Sequence, residues 1–322
     1  MRVLIPESRP LRSDGNPDGG RIQFLYRLSE ALSARGVKIA GSDAEADIVI
    51  ENAIIHQSFQ RPVVLRADGV YYDSRRGRDM RRMNEGLISA WVAAHAVVYQ
   101  SEWSRACYAN FFGKQLGIKT RARPESIILN GADPDWFRMF PPAKSPFKRN
   151  VLAVSRWRSH KRLGDIVATF IKADLDDTAL WVAGDPDCRR VDHPNVKYLG
   201  HIRPKELAGF YLLADCVFHL SWSEGCANVL IESLCAGTPV VTNGRTSNPE
   251  VVSGGGGVVV EDADPAFEFK MQDLGRLPPV NQAPVISALR RMVESPIKVD
   301  RPDLHINVVA MKYLDLFKEV LR

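Results

Sequence analysis

A chain of 322 residues, 45% hydrophobic and 25% charged, reads as a soluble globular protein long enough for two domains. No apolar run approaches the roughly 20 residues of a membrane-spanning helix. The net charge of +5 is modest, and no nucleic-acid recognition motif accompanies it. The start, MRVLIPES, runs straight into a strand without the charged and apolar regions of a signal peptide, so a cytoplasmic location is expected. The five cysteines show no Cys-x-x-Cys, which favours reduced, structural thiols over a disulfide framework or zinc site.

Residues 2–6 (RVLIP) form a short buried-strand pattern. A loop rich in Gly, Pro and Asp follows, and then a helical pattern over 21–35 with Ile22, Leu25, Leu28, Ala31 and Leu32 on one face. Gly36 ends that helix. The Gly19-Gly20 pair stands at its N-terminus, either as a close-approach turn for a ligand or as a plain flexible helix start. Residues 46–51 and 61–67 read as further strands, the second ending in Asp68-Gly69. Because ligands of open α/β sheets sit beyond the carboxyl ends of strands, Asp68 is placed where a working carboxylate would be. A helix carrying Met83, Leu87, Ile88, Trp91 and Val92 precedes a strand at 96–100. Ser101 then offers a capping residue for the next helix. After a strand at 126–130, the segment PPAKSPFKRN has the composition of an interdomain linker.

The alternation restarts at Asn150. Strands are expected at 151–155, 179–184, 196–199, 215–220, 240–242 and 258–260, with helices at 163–173 and 204–214. Two successive strand/helix series imply an α/β fold of two doubly wound parallel-sheet, Rossmann-like domains. The expected division is an N-terminal domain over 1–145 and a C-terminal domain over 146–300. A final amphipathic helix within 301–322 is expected to pack back toward the N-terminal domain.

The most informative stretch is SWSEGCANVLIESLCAG, residues 221–237. It places Glu224 in a loop and Glu232 about two turns into a helix expected to start near Gly225 or Cys226. Amides at such a helix start can hold an anion. Arg156 and Lys161 follow the first strand of the second series, where a phosphate-facing crevice is expected. Arginine grips phosphate in two places, and lysine adds a compact point charge. Glu232 is either a ribose ligand or a solvated helix residue; spacing alone leaves both open.

The order of these motifs resembles the retaining GT-B glycosyltransferases numbered family four. The matching pieces are Gly19-Gly20, Asn130-Gly131-Ala132-Asp133, Arg156 with Lys161, Gly184-Asp185 and Gly200. Ser223-Glu224-Gly225 through Glu232, then Ala236-Gly237-Thr238-Pro239-Val240, complete the set, which spans most of the chain. The resemblance implies a GT-B architecture with two domains facing a cleft. It implies a nucleoside-diphosphate sugar as donor substrate, no cofactor, and no divalent metal. The reaction implied is retaining transfer of a hexose-type sugar by front-face attack, with Arg156 and Lys161 stabilising the leaving diphosphate. Glu232 would bind the ribose and Glu224 the sugar hydroxyls. The phosphates would meet Gly19, Gly20 and the backbone near Ser223, Gly225, Asn228 and Val229. The base would lie near Gly184, His201 and Ile202.

The chain departs from the family's pattern at three places. Asp68 stands where a histidine is common, Arg162 follows Lys161 in place of a glycine, and Cys226-Ala227 replaces a phenylalanine-glycine pair. Asp68 is a candidate hydrogen-bonding group or base. Arg66, Arg75, Arg76 and Arg78, with Arg81 and Arg82, concentrate positive charge near it. They are candidates to contact an anionic acceptor, such as a lipid-linked or phosphorylated saccharide, or a peripheral site on the inner membrane face. A solvated face is the competing reading. An inactive nucleotide-sugar-binding module and transfer to a nucleic acid are the alternative functions.

Overall fold

The computed structural model describes residues 1–6, 20–186, 188–261 and 272–322. The chain divides into two compact units: Met1–Ala132 with Glu268–Gln272 and Asp303–Arg322, and Asp133–Phe267 with Asp273–Pro302. The division therefore falls ahead of the proline-rich segment expected to link the domains. That segment packs with the second unit, where the Ala143 amide donates to the Gly209 carbonyl at 2.8 Å.

In the first unit the strands are β1 (Arg2–Leu4), β2 (Lys38–Ile39), β3 (Ile48–Asn52), β4 (Val63–Ala67), β5 (Ala96–Tyr99) and β6 (Glu125–Ile127). The helices interspersed with them are α1 (Gly20–Ser33), α2 (Gly77–Ala93) and α3 (Glu102–Cys107). The strands form one parallel sheet in the order β2-β1-β3-β4-β5-β6. All five residues of β3 and of β4 are buried, as befits strands covered on both faces. Ser101 caps α3 as its sequence position predicts, its hydroxyl accepting from the Ser104 amide.

The second unit contains α4 (Pro134–Arg138), β7 (Arg149–Val154), α5 (Leu163–Ala173), β8 (Thr178–Ala183), β9 (Val196–Gly200), α6 (Pro204–Leu213), β10 (Cys216–His219) and α7 (Asn228–Cys235). It continues with β11 (Val240–Asn243), α8 (Asn248–Val252), β12 (Gly257–Val260) and α9 (Gln282–Glu294). Its parallel sheet runs β12-β11-β10-β7-β8-β9. The core is built from the apolar face of α5 (Ile166, Val167, Phe170) and of α9 (Val285, Leu289, Met292) against the strands.

The last helix, α10 (Ile306–Val320), returns to the first unit. Val309, Tyr313, Leu316 and Phe317 pack with Phe24, Leu25 and Leu28 of α1, which gives the amphipathic terminus the partner surface it needed. Cys107, Cys216, Cys226 and Cys235 are buried, and Cys188 is exposed.

Candidate functional site

The strand order of the second unit decides where its site lies. Strand order reverses between β10 and β7, and loops leaving the two strands at such a point part to leave a crevice. Both loops carry charged residues. After β7 come Arg156, which is exposed, and a single tight helical turn ending at Lys161. After β10 comes the turn holding Ser223, Glu224 and Gly225. The His160 carbonyl accepts from the Trp222 amide at 2.8 Å, and this bond fastens one loop to the other.

Glu224 thereby meets Lys161: Nζ donates to Oε1, with only 17% and 11% of the two side chains exposed. His219, buried at the end of β10, places Nε2 3.2 Å from the same oxygen. The Glu224 amide donates to Thr246 Oγ1 at 3.0 Å. Thr246 itself sits in the left-handed region at φ 52°. Burial pushes the Glu224 carboxyl up, but the Lys161 ammonium and His219 more than reverse this, leaving it well below the usual carboxylate range. The result is a fixed anion whose other oxygen, Oε2, has no partner among the described residues.

Arg162 explains its own departure from the family's glycine. Its φ of 58° is left-handed, the conformation glycine adopts without strain. Arg162 is compensated by its contacts: the guanidinium lies 5.1 Å from the Trp222 ring and donates from Nη2 to the Pro278 carbonyl at 2.6 Å. Arg245 lies 4.4 Å from the same ring. Trp222 thus ties together the loops that carry Lys161 and Thr246.

The helix behind the turn starts at Asn228, two or three residues later than the expected start near Gly225 or Cys226, because the 221–227 segment is held as a turn. Ala227 at its N-cap has no oxygen to cap the helix. Glu232 therefore lies only about one turn in, at 3.6 residues per turn. It is 6% exposed, with Tyr211 Oη donating to Oε2 at 3.1 Å, which excludes the solvated-helix reading. Asn228 and Val229 form the half-buried first turn. Gly184, at φ 99°, donates its amide to the Gly200 carbonyl at 2.7 Å. A Cβ there would stand 2.0 Å from the Ser155 carbonyl oxygen, so only glycine fits. His201 is exposed and Ile202 half-buried just past β9, and among the described residues neither has a hydrogen bond to the Lys161–Glu224 pair.

In the first unit, Asp68 lies past β4 with 37% of its side chain exposed. Around it stand Asn52, Gln100 and Asn130 from the ends of β3, β5 and β6, all buried. Arg66 is the correction among the basic candidates. At 1% exposure it cannot touch a membrane or a surface-bound acceptor; it points into the unit and pairs with Asp68 at 2.7 Å. Arg75 and Arg76 are exposed but paired with Asp73 and Asp79. Arg78, Arg81 and Arg82 are exposed on α2. Gly19 lies outside the described residues, and Gly20 opens α1.

The profile of the family described as glycosyl transferases group 1 matches residues 148–274. That stretch resembles this family. Spore coat protein SA of Bacillus subtilis (strain 168) is 34% identical over 73 residues, which span 22% of this chain and only 19% of that protein. Among solved structures, sucrose-phosphate synthase from Thermosynechococcus elongatus superimposes with a TM-score of 0.71 at 15% identity, covering 99% of this chain and 98% of that one. The Anabaena protein HepE, solved in complex with UDP-glucose, gives a TM-score of 0.61 at 15% identity, covering 99% and 100%. The fold is thus of the GT-B type.

Within residues 148–274, sequence reasoning missed His219 and Thr246. His219 lies in an apolar strand run, where a histidine is more often a satisfied core residue than a site residue. The one signal available was its place at the strand's carboxyl end. Asn52 and Gln100 were missed in the first unit for the same reason.

Proposed function

We propose that the chain is a retaining glycosyltransferase that moves a hexose-type sugar from a nucleoside-diphosphate sugar to a hydroxyl acceptor. The observation that carries this reading is the Lys161–Glu224–His219 cluster at the switch point of the second sheet, with buried Glu232 on the helix behind it. A diphosphate leaving group needs positive charge that is in place before the bond breaks. Lys161 has three donors and spends one on Glu224, so two remain for phosphate oxygens. Arg156, exposed after β7, adds a two-pronged grip.

Glu224 accepts from hydroxyls of the donor sugar through Oε2, and Glu232 accepts from the ribose. As the glycosidic C–O bond to the diphosphate breaks, the anomeric carbon gains positive charge. The acceptor hydroxyl attacks on the same face, and its proton passes to the departing diphosphate oxygen. Glu224, fixed as an anion near the sugar, favours that charge development, and Lys161 and Arg156 take up the charge on the leaving group. Among nucleotides, UDP is the first to test, since the structurally similar HepE is solved with UDP-glucose. Incubating the protein with a panel of nucleotide sugars and reading released nucleoside diphosphate tests the reading. Release above background from one donor supports it; neither release nor binding of any donor rejects it and leaves a module of another kind.

A further inference from the structure

The loop from β11 into α8 grips the Glu224 turn residue by residue. Asn243, 1% exposed at the end of β11, donates from Nδ2 to the Leu220 carbonyl at 3.4 Å and to the Ser221 carbonyl at 3.2 Å. The buried Arg245 lies 4.4 Å from the Trp222 ring. Thr246 Oγ1 then accepts from the Glu224 amide at 3.0 Å. Side chains of one loop thus hold residues 220–224 of the other in chain order. The gripping loop is itself closed. The Asn248 amide donates to the Arg245 carbonyl at 3.0 Å, and Asn248 Nδ2 donates to Asn243 Oδ1 at 2.9 Å.

Thr246 is the strained member of this loop. Its φ of 52° is left-handed, a region to which a β-branched side chain is poorly suited. Such a conformation costs free energy and persists only where its surroundings over-determine it. Glycine adopts it without strain, so stability alone does not account for a threonine there. What glycine lacks is the hydroxyl, and the hydroxyl is what meets the Glu224 amide. We propose that Thr246 is a positioning residue: it fixes the main chain of Glu224, and through it the direction of Oε2, while lowering local stability. Lys161 and His219 hold the carboxylate at Oε1. Thr246 holds the backbone that carries it, so Glu224 is fixed at both ends. That Oε2 then meets the donor sugar rests on the transferase reading; the positioning of the Glu224 turn does not.

The test compares full-length T246S, T246A and T246G with the wild type. In 15N-labelled protein, solvent exchange of the Glu224 amide should quicken about threefold to tenfold in T246A and T246G, the contribution of one hydrogen bond. In T246S it should stay near the wild-type rate. T246G, relieved of the strain, should melt above T246A. It should nevertheless bind UDP-glucose about threefold to tenfold more weakly than the wild type, with UDP affinity unchanged, and T246S should restore the binding. A residue that only stabilised the loop would give a different pattern, with UDP-glucose binding following melting temperature across the series. Unchanged Glu224 exchange in T246A and T246G, or a wild-type preference for UDP-glucose over UDP in T246G, overturns the proposal. If T246A does not fold, T246G gives the same comparison without the strain. If the wild type binds no nucleotide sugar, the transferase reading fails, and the exchange series alone decides the positioning.

Discussion

Replacing Lys161 with methionine removes the ammonium and leaves the Glu224 carboxylate facing His219 with most of its surface withdrawn from water. Breaking a buried ion pair from one side costs about 3–5 kcal/mol. With 17% and 11% of the two side chains still exposed, the lower end, about 3 kcal/mol, is expected. For a unit of this size that is a fall of roughly 6–12 °C in melting temperature. The pH dependence supplies the sharper check. The folded Glu224 carboxyl is held below its unfolded value, so the stabilisation is fully present above about pH 4.3 and is lost as pH falls through the folded value. The gap between wild type and K161M should therefore be widest near neutrality and close on acidification. The double variant K161M/E224Q, having no stranded charge, should recover most of the loss. Calorimetry and urea unfolding across pH, on all variants, measure these terms. An unchanged melting temperature in K161M, or a gap that does not narrow in acid, would refute the coupling. In the transfer reaction proposed above, the same substitution should cost about 2–4 kcal/mol of transition-state stabilisation, read as slower release of nucleoside diphosphate.

Glu232→Ala should weaken nucleotide binding by roughly 1–3 kcal/mol, measured by titration calorimetry with UDP; equal affinity would remove its ribose role. Gly184→Ala puts a methyl carbon 2.0 Å from the Ser155 carbonyl oxygen. A melting temperature within error of wild type would show that the β7–β8 end can yield. Reversing the charges of Arg78, Arg81 and Arg82 on the exposed face of α2 should leave stability within about 0.5 kcal/mol. If α2 meets an anionic membrane, the same change abolishes flotation with anionic vesicles. Flotation independent of lipid charge would rule that contact out.

Much of the layout was readable from residue order because it depends on local rules. The helix over 163–173 follows from its 3.6-residue apolar period, and the position of Arg156 at a strand end follows from where an apolar run stops. Boundaries shifted where a turn outweighed propensity, as at α7, which begins only after the 221–227 turn. Arg66 shows the limit most plainly. In RPVVLRAD a charged residue near a basic run reads as surface, since charge is costly to bury.

Residue order alone set the alternation of strand and helix, the resemblance of residues 148–274 to glycosyl transferases group 1, and which charged groups stand at strand ends. Only the tertiary structure decided which of them meet. Lys161 and Glu224 are brought together because β7 and β10 lie side by side, a long-range pairing that no local pattern encodes. Arg66 is buried where Asn52 and Asn130 arrive from other strands to accept from its guanidinium beside Asp68, with Gln100 bonded in turn to Asp68 and Asn130. Whether a charge can be buried depends on partners distant in sequence, and those are placed only when the sheet closes around them.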